Sequence, residues 1–281
     1  MGRDKHPSNR QQQWRLGWIC LAALVLSACG GRVTIGPVTF GNSSRTPATV
    51  VTVANTNPTP YANKSQNWAG YFLQTHNVTA VSATWQVPQV GSPANSDSST
   101  WVGIGGVKNN SLIQAGTDQM MLNGKPYYFA WVELLPALPV QVKEIDLLPG
   151  DTMTVSITEQ STDNWHITFV DKDANESTTQ SVKYQSCLCS AEWIEEAPSL
   201  KQKQATLASF TSVTFANLGA TFRGQAIVPD QMCPFFDSRL PECIIPIRMV
   251  DSNGKTMVQP QTLQNGSFSA VDVRSATGAS G

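Results

Sequence analysis

From about residue 64 onward, apolar and polar positions alternate over short runs, and no run sustains an i, i+3, i+4 apolar stripe beyond a turn or two. The runs "SATWQVPQV", "STWVGIGG", "SLIQAGTDQMM", "YYFAWVELLP", "DTMTVSITEQ", "NWHITFVDKD", "ESTTQSVKY" and "SAEWIEEA" are rich in β-branched and aromatic residues and read as strands. Turn chemistry separates them at "LNGK" (122–125), "LPGD" (148–151) and "DSNGK" (251–255). The pattern predicts an all-β fold, an antiparallel β-sandwich with little helix. Residues 198–208, "PSLKQKQATLA", are the best candidate for a short helix.

The N-terminus follows a different pattern. Arg3, Lys5, Arg10 and Arg15 precede the apolar run "LGWICLAALVLSA", which suits export and is too short for a confident spanning helix. The run ends in "LSAC", which resembles a lipobox and marks Cys29 for lipid attachment; ordinary cleavage nearby or an uncleaved anchor is the alternative. Four segments are expected: a lipoprotein signal over 1–28, a Pro-, Thr- and Asn-rich tether or propeptide-like stretch over 29–63, a β-sandwich domain over 64–275 and a tail over 276–281. The expected location is outside the cytoplasm, lipid-anchored to a bacterial cell or outer membrane, or secreted.

Charged residues make up 14% of the chain and the net charge is −1, with no basic run to suggest a nucleic-acid partner. After Cys29 the cysteines are Cys187, Cys189, Cys233 and Cys243. An even count in an exported chain favours disulfides, with zinc as the weaker reading because His6, His76 and His166 show no ligand spacing. "CPFFDSRLPEC" reads as a disulfide loop from Cys233 to Cys243, whereas Cys187 and Cys189 stand too close for an easy mutual bridge. No metal or cofactor is expected, and the chain is expected to be a monomer.

Strand periodicity decides which side chains share a face. Glu192, Ile194 and Glu196 fall on one face, and Trp193 and Glu195 on the other. Phe129, Trp131, Glu133 and Leu135 share a face, as do Leu112, Gln114, Gly116 and Asp118. Three strands can therefore each present an acid or amide beside apolar neighbours, although a solvated sheet face has the same pattern. There is no "GxSxG", no aspartic-peptidase "DTG" or "DSG" pair and no Gly-rich phosphate loop. Carboxylate and amide chemistry remains.

The blocks "SQNWAGY", "VSATWQVP", "STWVGIGG", "SLIQAGTDQ", "YYFAWVELLP", "LLPGDTMTVSI" and "SAEWIEE" run in order over residues 65–196 and resemble the eqolisins, the glutamic peptidases. The resemblance fades in the C-terminal third. It implies a two-sheet β-sandwich, protein or peptide substrates, a preference for acid and no cofactor. It also implies a catalytic pair of Gln114 and Glu196. The glutamate activates a water and the glutamine stabilises the oxyanion. Trp101 and Trp131 match the family's cleft tryptophans, Asp118 and Glu133 match acids near the pair, and Glu192 matches the first acid of its block. Glu195 stands where the family has an apolar residue. Gly105 replaces an acid, Phe129 stands where an acid is common, and aromatics are absent at Val132, Leu134 and Leu135. With fewer acids beside Glu196, the pH optimum is expected to move upward. Two other functions fit the pattern: an inactive peptide- or glycan-binding sandwich, and a β-sandwich glycosidase using Glu133 and Glu196.

Overall fold

The computed structural model describes residues 62–200, 203–229 and 243–274, except the side chains of Leu200 and Cys243. The chain runs through β1 (Asn63–Ser65), β2 (Trp68–Gln74), β3 (Val78–Gln86), β4 (Ser96–Gly105), β5 (Leu112–Leu122) and β6 (Lys125–Leu134). It continues through β7 (Val140–Val142), β8 (Thr152–Ser161), β9 (Asn164–Asp171), β10 (Glu176–Lys183), β11 (Ser190–Glu196) and β12 (Ser199–Leu200). The last strands are β13 (Lys203–Gln204), β14 (Val213–Phe222), β15 (Gln225–Ile227), β16 (Cys243–Val250), β17 (Thr256–Pro260) and β18 (Phe268–Asp272). No helix occurs among the described residues. Cys29, the expected signal and tether, and most of the Cys233–Cys243 loop lie outside them.

Two sheets form, and β14 belongs to both. One has the order β18-β17-β16-β2-β11-β4-β5-β6-β7, and the other β10-β9-β8-β3-β14. The first residues of β14, Val213–Phe215, pair with β18, and the rest pair with β3 across a register shift between Ala216 and Gly219. Such an irregularity bends a strand, which lets it pass from one layer to the next. The pairing is antiparallel except at β1, which lies parallel to β16. At the tip of the β5–β6 hairpin Asn123 (φ 53°) and Gly124 (φ 75°) adopt the left-handed conformation that a tight two-residue turn requires.

The inward faces of both sheets meet in one apolar core. Tyr71, Val102, Ile113 and Trp193 come from the first sheet, and Trp85, Val155, Ile167 and Phe169 from the second. The alternation that predicted strands is what places these side chains on a single face. Buried indoles need a partner for their N–H. The Trp193 N–H donates to the Ser82 carbonyl of β3 at 2.9 Å, which ties the strand carrying Glu196 to the opposite sheet.

Two expectations are corrected. Residues 198–208 do not form a helix: β12 pairs with β13, and the chain then lies along β4. Asp97 N donates to the Thr206 carbonyl and Ala208 N to the Asp97 carbonyl, while Leu207 and Ala208 are buried. Tertiary hydrogen bonds and burial override the local helical preference. Cys187 and Cys189 do bridge each other. The left-handed backbone at Leu188 (φ 52°) turns the chain so that their Cα atoms lie 5.1 Å apart, within normal disulfide reach, and neither thiol is left for zinc.

Replacing Trp193 by Ala should cost about 3–5 kcal/mol through the cavity and the lost inter-sheet bond. A urea titration checks this, and a loss below about 1 kcal/mol would show that the sheets do not depend on this contact.

Candidate active site

The outer face of the first sheet is organised in registered rows. One runs Ile245, Phe72, Glu192, Gly103, Gln114 and Glu133 from β16 to β6. The next runs Ile247, Gly70, Ile194, Trp101, Gly116 and Trp131, and the third Trp68, Glu196, Ser99, Asp118 and Phe129. All seven residues expected at the site, Gln114, Glu196, Trp101, Asp118, Trp131, Glu133 and Glu192, therefore share one face. The central row bears indoles and glycines and separates the Gln114 row from the Glu196 row. Phe72, Trp101, Leu112, Trp131, Ile194, Ile245 and Ile247 form a second apolar cluster there, distinct from the inter-sheet core.

Glu196 is held at both oxygens. Asn67 Nδ2 donates to Oε1 at 2.9 Å, and the Trp101 indole N–H donates to Oε2 at 2.8 Å. Trp68 packs edge-on against Trp101, with ring centroids 5.1 Å apart. Burial pushes the Glu196 carboxyl up to about 7; hydrogen bonds from Trp101, Trp68 and Asn67 oppose the rise, and the charge of Glu133 adds to it. Glu196 remains partly open to solvent. A carboxyl so placed can take a proton from water and give it back near neutrality.

Gln114 is 5% exposed. Its Nε2 donates to Glu133 Oε2 at 2.5 Å, and its Oε1 is buried without a partner. The amide retains a second N–H. Glu133 is pushed up to about 7 by burial, with the Gln114 hydrogen bond opposing. Glu192 is fully buried, with no partner for either oxygen, and its carboxyl is raised well above the ordinary range by that burial. Trp101 is also fully buried and forms part of the floor.

Asp118 lies in the Glu196 row and faces Asp97. Burial first, and then repulsion from Asp97, Glu195 and Glu196, raises it well above the carboxylate range, so it holds the proton of the pair. Asp97, also raised by burial, and Asn67 were not foreseen as site residues. Asp97 has the parity of Trp101, so strand periodicity was the available signal for it, whereas Asn67 lies just before β2, where alternation gives no signal.

Glu195 points the opposite way and is fully buried between the sheets. The Ser98 hydroxyl donates to its Oε1, and the Thr100 hydroxyl to its Oε2 at 2.6 Å. Gln119 Nε2 donates to Thr100 at 3.0 Å. Burial raises Glu195 to about 8 against these hydrogen bonds.

A cavity of about 440 Å³ opens at Trp68, the register partner of Glu196, and is lined also by Phe72, Val107 and Ile247, with Lys64 and Gln74 among its polar groups. The missing acid at Gly105 has a backbone cause. Gly105 has φ 94°, and a Cβ there would stand 1.9 Å from the Ser111 carbonyl oxygen. In the other sheet, ligand atoms of Asp151, Asp171 and Asp173 lie within 4.8 Å of one another, but backbone N–H groups already occupy oxygens of all three.

These features define a β-sandwich peptide hydrolase whose cleft face carries carboxyl and amide groups. A profile described as the Peptidase A4 family matches residues 66–237, and the chain belongs to that family. It is 28% identical over 198 residues to aspergillopepsin-2 of Aspergillus niger, covering 62% of this chain and 70% of the relative. It is 28% identical over 140 residues to scytalidopepsin B of Scytalidium lignicola, covering 48% of this chain and 53% of that protein. The fold is similar to scytalido-glutamic peptidase solved with a transition-state analogue inhibitor, with a TM-score of 0.63 and 22% identity over 74% of this chain and 98% of that one. It is also similar to aspergilloglutamic peptidase from Aspergillus niger, with a TM-score of 0.53 and 24% identity over 63% and 99% of the two chains.

The raised carboxyls set the sign of the pH dependence of stability. Glu133, Glu196 and Glu195 move from the ordinary 4.5 to about 7, 7 and 8 on folding. Between those limits the folded chain binds more protons than the unfolded chain, so stability is fully present in acid and declines as pH rises toward 8. The thermal midpoint should be highest near pH 4 and lower at pH 8. Glu195→Gln, which mimics the neutral acid, should raise the midpoint by several degrees at pH 8 and leave it unchanged at pH 4. A midpoint that climbs between those pH values would contradict the assignment.

Proposed function

We propose that the chain is a glutamic endopeptidase in which Glu196 and Gln114 form the catalytic pair. The observation that carries this reading is Glu196: fixed at both oxygens by Asn67 and Trp101, open to the cleft, and on the same sheet face as an amide with an uncommitted N–H. Ionised Glu196 takes a proton from the attacking water as the oxygen bonds to the scissile carbonyl carbon. The second N–H of Gln114 donates to the carbonyl oxygen as it becomes an oxyanion. Glu196 then returns the proton to the leaving nitrogen when the C–N bond breaks. The buried indoles of Trp101 and Trp131 exclude water beneath the substrate, and the cavity beside Trp68 suits a bulky apolar side chain. The match to relatives named as peptidases and the solved complex of one with a transition-state analogue inhibitor support the reading.

The base must be ionised, and burial holds Glu196 near 7. Catalysis is therefore expected in weakly acidic to neutral solution, above the strongly acidic range, with kcat/KM falling as pH drops below about 7. Casein cleavage by the full-length chain in detergent, followed from about pH 3 to about pH 8, tests this. Glu196→Gln should lower kcat by about 10³-fold and Gln114→Ala by about 10²–10³-fold, with both variants folded. Full activity in folded Glu196→Gln would refute the pair, and an ascending limb centred well below pH 5 would refute the state assigned to Glu196. We also propose that lipid on Cys29 anchors the peptidase outside the cytoplasm. Cys29→Ala should then move it from membrane to soluble fractions, and no change in partition would overturn the anchor.

A further inference from the structure

The Gln114 row contains a set of buried polar atoms that the mechanism leaves unused. Gln114 Oε1, both carboxyl oxygens of Glu192 and Ser190 Oγ are buried and make no hydrogen bond of ordinary geometry, although the Ser190 hydroxyl lies near enough to Glu192 to oppose the rise that burial causes. Ser190 and Glu192 lie two residues apart on β11 and share its outer face, and both are 0% exposed. In register, Glu192 is followed by Gly103 and then Gln114. A Cβ on Gly103 would stand 2.9 Å from Leu112 Cδ1 and Trp101 Cζ3 and 3.3 Å from Glu192 Oε2, so the Glu192 carboxyl leans over the glycine beside those two apolar side chains. Two strand spacings separate the Glu192 and Gln114 backbones by roughly 10 Å. A link between the two groups therefore requires one water to span what their side chains leave.

Proton bookkeeping then decides the arrangement. An ionised Glu192 would leave its own two oxygens and Gln114 Oε1 as acceptors, with only the Ser190 hydroxyl to donate. The flanking residues in register on β2 and β4 are Phe72 and Gly103, which carry no charge; the other carboxyl groups of this face are Asp97 on β4, Asp118 on β5, Glu133 on β6 and Glu196 on β11 itself. A charge at Glu192 would be buried and unpaired, which is far costlier than keeping the proton. A neutral Glu192 supplies the missing O–H.

We propose that Glu192 is a positioning residue whose carboxylic acid proton is directed, through one water, to Gln114 Oε1 and fixes the orientation of the Gln114 amide. Glu133 accepts from the amide nitrogen on one side, and Glu192 donates toward the amide oxygen on the other. Together they determine which end of a nearly symmetric group faces each neighbour. The opposite flip would turn a carbonyl oxygen toward the developing oxyanion and remove the donor. The inference rests on Gln114 being that donor.

The test compares Glu192→Leu with Glu192→Gln on a fluorogenic peptide, using the full-length chain. Leucine fills the site but donates nothing. It should lower kcat by about 10²-fold, on the scale of one lost oxyanion donor, and change KM by less than about threefold. Its thermal midpoint should stay at or above wild type, because an apolar side chain replaces an unpartnered polar one. Glutamine can still donate an N–H and should rescue kcat to within about tenfold of wild type. In a Gln114→Ala background, Glu192→Leu should add no further loss. A folded Glu192→Leu with wild-type kcat, a Glu192→Gln as slow as the leucine variant, or full additivity with Gln114→Ala overturns the inference. If the leucine variant does not fold, infrared difference spectra decide. The difference spectrum of wild type minus Glu192→Gln at pH 7 should contain the carbonyl band of one buried protonated carboxyl, the bands of Asp118 and Glu195 cancelling, and its absence from that difference overturns the inference. Full kcat in Gln114→Ala would instead sink the catalytic pair and this inference with it, whereas a slow Gln114→Ala beside a fully active Glu192→Leu sinks this inference alone.

Discussion

Burial of carboxyl groups with no cation opposite them among the described residues is the constraint that governs this molecule. Asp97, Asp118, Glu133, Glu192 and Glu196 share one sheet face, Glu195 lies directly behind it, and each is raised by loss of water. Ionising such groups costs free energy that hydrogen bonds alone must offset. The structure meets that cost unevenly. Glu196 receives two side-chain donors within 2.9 Å and keeps some contact with solvent, so its charged form remains accessible. Glu192 receives none and is sealed from water. The same residue type, four positions apart on one strand, is thereby divided into a group that can exchange a proton and one that retains it.

The strand β11 concentrates the problem because its two faces have different solvents. Trp193 and Glu195 point into the inter-sheet core, whereas Glu192, Ile194 and Glu196 point into the cleft. An acid at position 195 would be expected to disrupt a core. It is accommodated because Ser98 and Thr100, on the neighbouring strand, place two hydroxyls against it and Gln119 orients Thr100 from the next strand. Three departures from an apolar core, at adjacent registers, compensate for a fourth. Such a network rigidifies the strand whose next residue is Glu196, but only while its members are mutually satisfied.

Much of this was legible in the sequence, because the relevant signals have a period of two. The alternation in "AEWIEEA", "FAWVELLP" and "LIQAGTD" grouped Glu192 with Glu196, Trp131 with Glu133 and Gln114 with Asp118, each within its own strand, and the family resemblance singled out Gln114 and Glu196; the strand register brings the three groups onto one face. The misreadings were where tertiary contacts outvote local preference. The 198–208 segment has helix-favouring residues, yet its backbone groups find partners on β4. The Cys187–Cys189 bridge depends on one left-handed residue, Leu188, whose type gives no hint of it. Asn67 and Ile247 reach the cleft from opposite ends of the domain sequence, a proximity created by the pairing of β16 with β1 and β2.

Gly105 shows how a departure from a family pattern should be weighed. Read as a substitution, it removes an acid from the neighbourhood of the catalytic pair. Read in the structure, it marks a change of backbone. Its positive φ and its approach to the Ser111 carbonyl exclude any side chain, so restoring the acid would require moving the β4–β5 connection. The carboxyls of the cleft are raised chiefly by burial, which does not depend on what stands at position 105. The character of the site then follows from how deeply each carboxyl sits and what donates to it, and less from how many acids the cleft contains.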